Sequence, residues 1–137
     1  MESPDIIVGG PPCQDFSVAG LRAEAERANL TLGFAEIVRS VRPAWFVMEN
    51  VPAAASSRAW RAAKARLRSA GYGMTEIVLD ASLYGVPQLR RRLFLIGHGG
   101  SGDQFLEDRL RDAAGDTGGI WETNLASPIN RGRKVYH

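Results

Sequence analysis

The sequence predicts an α/β protein: part of an open, doubly wound sheet, mostly parallel and finishing in an antiparallel hairpin. Two observations carry this expectation. Short apolar runs that stop at glycine or polar residues alternate with segments of helical periodicity, the pattern of strand–helix–strand units in a parallel sheet. The last two apolar runs are joined by turn-rich residues without a helical period, so the final strand is expected to return antiparallel.

Each element has its own signal. "DIIVGG" at 5–10 is a continuous apolar run stopped by glycines, as a buried strand would be. A polar loop from Pro11 to about Ala28 follows, and then Leu30, Phe34, Ile37, Val38 and Val41 recur at helical spacing before Pro43, predicting a helix near 29–42. "AWFVMEN" at 44–50 reads as a second strand with a polar end. Trp60, Ala63, Leu67 and Ala70 line one face of a helix from about Ser57, with Gly71 as its cap. "MTEIVLDA" at 74–81 and "RLFLIGH" at 92–98 are the third and fourth strands, separated by "SLYGVPQLRR". Beyond them a short amphipathic helix is expected near Asp103–Ala114, and Gly115–His137 has no regular pattern. The expected division is therefore 1–98 for the sheet domain and 99–137 for a linker, short helix and irregular tail.

Composition bounds the function. At 137 residues, 45% hydrophobic and 23% charged, the chain is long enough for one hydrophobic core and ordinary for a globular domain. A single cysteine excludes a disulfide scaffold, and with only two histidines no metal site is expected. There is no apolar run of membrane-spanning length and no basic-then-apolar amino-terminal pattern. The expected location is the cytoplasm, nucleoid-associated in a prokaryote, with no membrane partner. Net charge is only +2, yet the basic residues are clustered: Arg58, Arg61, Lys64, Arg66 and Arg68 fall in one segment without an acid, and Arg90, Arg91 and Arg92 are consecutive. Such clusters suit either a solvated helix face or a phosphate-bearing partner.

In open α/β sheets, ligands sit beyond the carboxyl ends of the strands. Three chemically loaded segments fall on that edge: Cys13 after the first strand, Glu49–Asn50 ending the second, and Gln88–Arg92 before the fourth. A cysteine there can be a buried structural residue or, with its pKa lowered, a nucleophile. Glu49 can cap a strand, pair with an arginine or exchange a proton. Arg90 and Arg92 alternate along an extended segment and so point the same way, with Arg91 opposite, which suits an oxygen-rich ligand or simply a charged sheet edge.

The motifs "GGPPCQDFS", "ENV" and "QLRRR" resemble, in order, the Pro-Cys-Gln, Glu-Asn-Val and Gln-x-Arg-x-Arg signatures of the C5-cytosine-specific DNA methyltransferase family, and "RANL" at Arg27–Leu30 is similar to its Arg-x-x-Leu segment. The resemblance covers about Asp5 to Gly97. It implies a Rossmann-like sheet of the kind found in S-adenosylmethionine-dependent methyltransferases and a transfer of the methyl group to C5 of a flipped-out cytosine in DNA. Cys13 would be the nucleophile added to C6. Glu49 would hold N3 and the exocyclic amine, and Arg92 the base carbonyl. Gln14, Ser17, Asn50, Gln88 and Arg90 would hold the loops or the DNA, and the polar loop after Cys13 would close over the flipped base. Pro12 and Leu30 would touch S-adenosylmethionine.

The resemblance also implies an amino-terminal strand and a glycine-rich cofactor turn before Asp5, where only four residues stand. The expectation is thus a catalytic half: an expressed fragment, a subunit of a split enzyme, or a truncated product. It would self-associate, or pair with a complementing chain, through the open edge of its first strand. A catalytically incompetent DNA-binding relative and an RNA cytosine-5 methyltransferase are the alternative readings.

Overall fold

The computed structural model describes residues 2–12 and 20–115. In chain order they form β1 (Ile6–Gly9), α1 (Gly20–Val41), β2 (Trp45–Asn50), a 3-10 turn at Pro52–Ser56, α2 (Arg58–Ser69), β3 (Tyr72–Asp80), a second 3-10 turn at Ala81–Tyr84, β4 (Arg91–Gly99) and α3 (Glu107–Gly115). The strands make one sheet in the order β1-β2-β4-β3. β1 and β2 are parallel, and β4 is antiparallel to both of its neighbours, β2 and β3. Three strands therefore share one direction, as the sequence predicts, and β4 alone is reversed.

Its position departs from the simplest expectation. The hairpin does not extend the sheet outward. The α2 crossover carries the chain from β2 past one strand position before β3 begins, and β4 folds back into that gap. Only one neighbouring pair is parallel as a result. Helix α1 also begins earlier than the predicted residue 29, at Gly20. Its first turns read "GLRAEAERAN", rich in strong helix formers but without an apolar period, so periodicity missed what propensity supports.

Helices α1 and α2 cover one face of the sheet. Phe34 and Val38 of α1 and Trp60, Ala63 and Leu67 of α2 pack on Phe46, Met48, Leu93 and Leu95. Phe46, Met48, Trp60 and Leu95 are wholly excluded from solvent, and burial of a side chain of that size stabilises by about 1.5–3 kcal/mol. The Oγ of Ser57 caps α2 by accepting the Trp60 N–H at 3.1 Å, and Gly71, with φ 97°, makes the left-handed exit. Trp60 Nε1 donates to Glu76 at 2.5 Å, so the largest core side chain keeps its polar atom satisfied on β3.

The two edges of the sheet differ. Along β3, Met74 N–H donates to Asp103, Gln104 N–H donates to the Met74 carbonyl, and Glu76 N–H donates to the Gln104 side chain. That edge is clasped. β1 has a strand neighbour on one side only among the described residues, and Ile6 and Val8 on it are 50% and 68% exposed.

Candidate active site

The carboxyl ends of β1 and β2 and the start of β4 lie on the same edge of the sheet, because β4 runs against its neighbours. Register fixes what meets there. Glu49 stands opposite Phe94, and Arg92 stands opposite Leu79 of β3. Side chains alternate along a strand, so Glu49 shares its face with Arg92 and Phe94, while Asn50 turns to the helix side.

The Arg92 Nε donates to Glu49 Oε1 at 3.0 Å, with the two side chains 27% and 35% exposed. Arg92 Nη1 also donates to the Arg91 carbonyl at 2.9 Å, which fixes the guanidinium plane. Glu49 and Arg92 line a cavity of about 330 Å³ together with Leu79, Ala81, Tyr84, Val86, Arg90 and Phe94. The lining thus carries an acceptor and donors on a mostly apolar background, the general make-up of a small-molecule pocket. The Tyr84 hydroxyl donates to the Leu110 carbonyl at 2.6 Å, tying this wall to α3, and burial pushes its phenol above the usual tyrosine value.

Asn50 joins two of the loops. It is 7% exposed; its Nδ2 donates to the Pro11 carbonyl at 3.3 Å, and its Oδ1 accepts the Val51 N–H at 2.8 Å. Gly10 comes so near that a Cβ on it would stand 3.1 Å from Glu49 Oε2. The backbone leading into Pro12 therefore passes directly over the Glu49 carboxylate, and glycine permits the approach.

Among the residues singled out from the sequence, Glu49, Arg90 and Arg92 meet at the cavity, and Asn50 binds the Pro11 backbone beside it. Gln88 is exposed, its N–H held by the Val86 carbonyl at 2.7 Å. Pro12 is exposed beyond β1. Leu30 is 51% exposed and stands one turn before Phe34, whose ring lies against Gly9, so it projects past the carboxyl end of β1. Cys13, Gln14 and Ser17 lie outside the described residues. Sequence reasoning reads Gly10 as a glycine that lets the chain turn closely, and the structure adds its approach to Glu49. Sequence reasoning missed Leu79, Tyr84, Val86 and Phe94, which need the β3–β4 register.

The sequence profile of C-5 cytosine-specific DNA methylases matches residues 1–113. The chain belongs to that family. Among curated relatives, the Type II methyltransferase M.HgiDI of Herpetosiphon aurantiacus is 58% identical over 97 residues, which are 70% of this chain and 31% of that protein. M.HindV of Haemophilus influenzae, also a Type II methyltransferase, is 51% identical over 105 residues, 76% of this chain and 34% of the relative. The chain thus spans about a third of the length of these relatives. Among solved structures, the S. pombe Dnmt2 methyltransferase shares the fold at TM-score 0.62 and 20% identity, over 80% of this chain and 33% of that one. No described helix is long and apolar enough to cross a membrane.

Proposed function

We propose that this chain supplies the catalytic edge of an enzyme that methylates C5 of cytosine in DNA. The observation that carries the reading is the Glu49–Arg92 pair in the lining of a mostly apolar cavity. A carboxylate beside a guanidinium offers two acceptors and then a donor. Cytosine protonated at N3 offers the complement: the amine, the N3–H and the carbonyl O2. Thymine and uracil would set a carbonyl oxygen against the carboxylate instead, so the pair selects cytosine by charge as well as shape.

The chemistry follows from that fit. C5 of cytosine is a weak nucleophile. Addition of the Cys13 thiolate to C6 forms a C–S bond, shifts the C5=C6 pair to C4–C5 and the C4=N3 pair onto N3, where Glu49 holds the proton and Arg92 meets the charge that reaches O2. C5 then has enamine character. S-adenosylmethionine, when bound, supplies an electrophilic methyl group. Once C5 carries the methyl, loss of its proton to a base and departure of Sγ restore the double bond and free the cysteine. The target atom is closed off within a duplex, so the base must be flipped into the cavity.

The residues assigned to the cofactor fit an apolar wall. Pro12 and Leu30 are exposed at the carboxyl end of β1 and bring no charge, so they suit the flat or aliphatic parts of S-adenosylmethionine rather than its carboxylate. Polar contacts to that group would come from residues other than these two. A complementing chain or a second copy would add at the β1 edge, because that edge carries exposed Ile6 and Val8 while the β3 edge is clasped. Light scattering tests this part: a species that stays strictly monomeric, and that a complementing segment does not bind, would count against it.

Methyl transfer from labelled S-adenosylmethionine tests the activity, with duplex DNA and transfer RNA as competing acceptors and the unmatched portion of M.HgiDI supplied as complement. Label on C5 of DNA cytosine is the expected result. Label on RNA would move the substrate, and DNA binding without label would leave a non-catalytic relative.

A further inference from the structure

The Glu49–Arg92 cavity does not use the other basic cluster, and its pattern of pairing is informative. Helix α2 carries Arg58, Arg61, Lys64, Arg66 and Arg68 and no acid. The last three each have an acidic partner on another segment: Lys64 with Glu76 of β3, Arg66 with Glu36 of α1, and Arg68 with Asp103. Arg58 and Arg61 have no ion pair among the described residues and are exposed. They occupy the first two turns of α2, where the helix dipole disfavours cations. A helix placed for stability alone would carry them at its other end.

Arg91 belongs with them. It lies on the helix-covered face with Leu93 and Leu95, opposite to the cavity face of Arg90 and Arg92, and it is exposed without an ion pair among the described residues. Asp80, its register partner, is buried and takes hydrogen bonds from Ser82. The Pro52–Ser56 turn follows the carboxyl end of β2, packs on β4 and leads directly into α2, so it links the start of α2 to the strand that Arg91 begins. Along α2 the cations of the later turns are neutralised, while Arg58 and Arg61, and Arg91 at the start of β4, are not among the described residues.

We infer that Arg58, Arg61 and Arg91 form a phosphate-contacting surface that holds the duplex backbone beside the base cavity, on the helix side of the sheet. This rests on the reading of the chain as acting on DNA and adds where the backbone lies. Such a surface positions the duplex without reading its sequence. It must therefore show in the salt dependence of binding, uniformly across sequences.

The test is fluorescence anisotropy of the full chain on two labelled duplexes of unrelated sequence, titrated at several salt concentrations. Arg58→Gln/Arg61→Gln/Arg91→Gln should make the slope of log Kobs against log salt shallower by about 2.7, at about 0.9 per phosphate contact, equally on both duplexes. The lysine triple variant should restore most of the slope, because it keeps the point charges. Arg66→Gln/Arg68→Gln, which removes paired cations, should leave it nearly unchanged. An unaltered slope in the first variant, or an equal change in the control pair, overturns the surface alone. A wild-type chain that binds no duplex even at low salt overturns the surface and the DNA reading together.

Discussion

Replacing Asn50 tests the joint between the β1 and β2 loops. Asn50→Ala removes a well-formed hydrogen bond at 2.8 Å from the Val51 N–H and a longer one at 3.3 Å to the Pro11 carbonyl. The residue is 7% exposed, so water cannot fully replace either partner. The short bond to a half-buried amide is the larger loss, and the two together should cost roughly 1.5–3 kcal/mol. For a domain of this size that lowers the thermal midpoint by roughly 5–12 °C. Asn50→Asp separates the two contributions, since it keeps the acceptor for Val51 and turns a lone pair toward the Pro11 oxygen. It should be destabilising at neutral pH even though Val51 stays satisfied. The assay is thermal unfolding followed by circular dichroism at pH 7. An Asn50→Ala midpoint within the small range of surface substitutions, or an Asn50→Asp protein as stable as the parent, would refute the claim that Asn50 holds the Pro11 backbone in place.

Two further substitutions probe the frame around the site. In Gly97→Ala the new methyl would drive into the wholly buried Phe46 ring, whereas in Gly99→Ala nothing lies within 4 Å. Chemical denaturation should show about 1–3 kcal/mol lost in the first, and a much smaller change in the second. The β3 edge clasp predicts an acid response: the Met74 N–H, and then Arg68, hold Asp103 below its ordinary value of 3.8. A depressed carboxylate contributes stability above its unfolded value and loses it as pH falls through the folded one. Asp103→Asn should thus lower the neutral-pH midpoint and flatten its decline below about pH 4, and an unchanged acid limb would refute the clasp.

The elements of this fold were legible wherever local chemistry was decisive. Trp60, Ala63 and Leu67 announced α2, and "WFVMEN" announced β2, because burial repeats with the period of the element. The insertion of β4 between β2 and β3 was not legible. A hairpin and a crossover each satisfy their local signals, and only the packing of the whole sheet sets the order of strands. The β3 clasp was hidden for a related reason, since Asp103 and Gln104 read as the start of a helix, which in fact begins at Glu107, until Met74 and Glu76 are placed beside them. In the site, Glu49 and Arg92 stood out as charges at the ends of apolar runs. That their side chains touch, with Leu79 and Phe94 forming walls beside them, depends on a register that no short segment encodes.

The central claim is that Cys13 attacks a cytosine held by Glu49 and Arg92. Duplex DNA carrying 5-fluorocytosine tests it most directly, because fluorine at C5 blocks the final elimination. With S-adenosylmethionine and the complementing portion of M.HgiDI supplied, the account predicts a denaturation-resistant protein–DNA adduct that maps to the Cys13 peptide and is lost in a folded Cys13→Ser variant. An adduct that persists in Cys13→Ser, or methylation of ordinary cytosine DNA without any adduct on the fluorinated duplex, would contradict it.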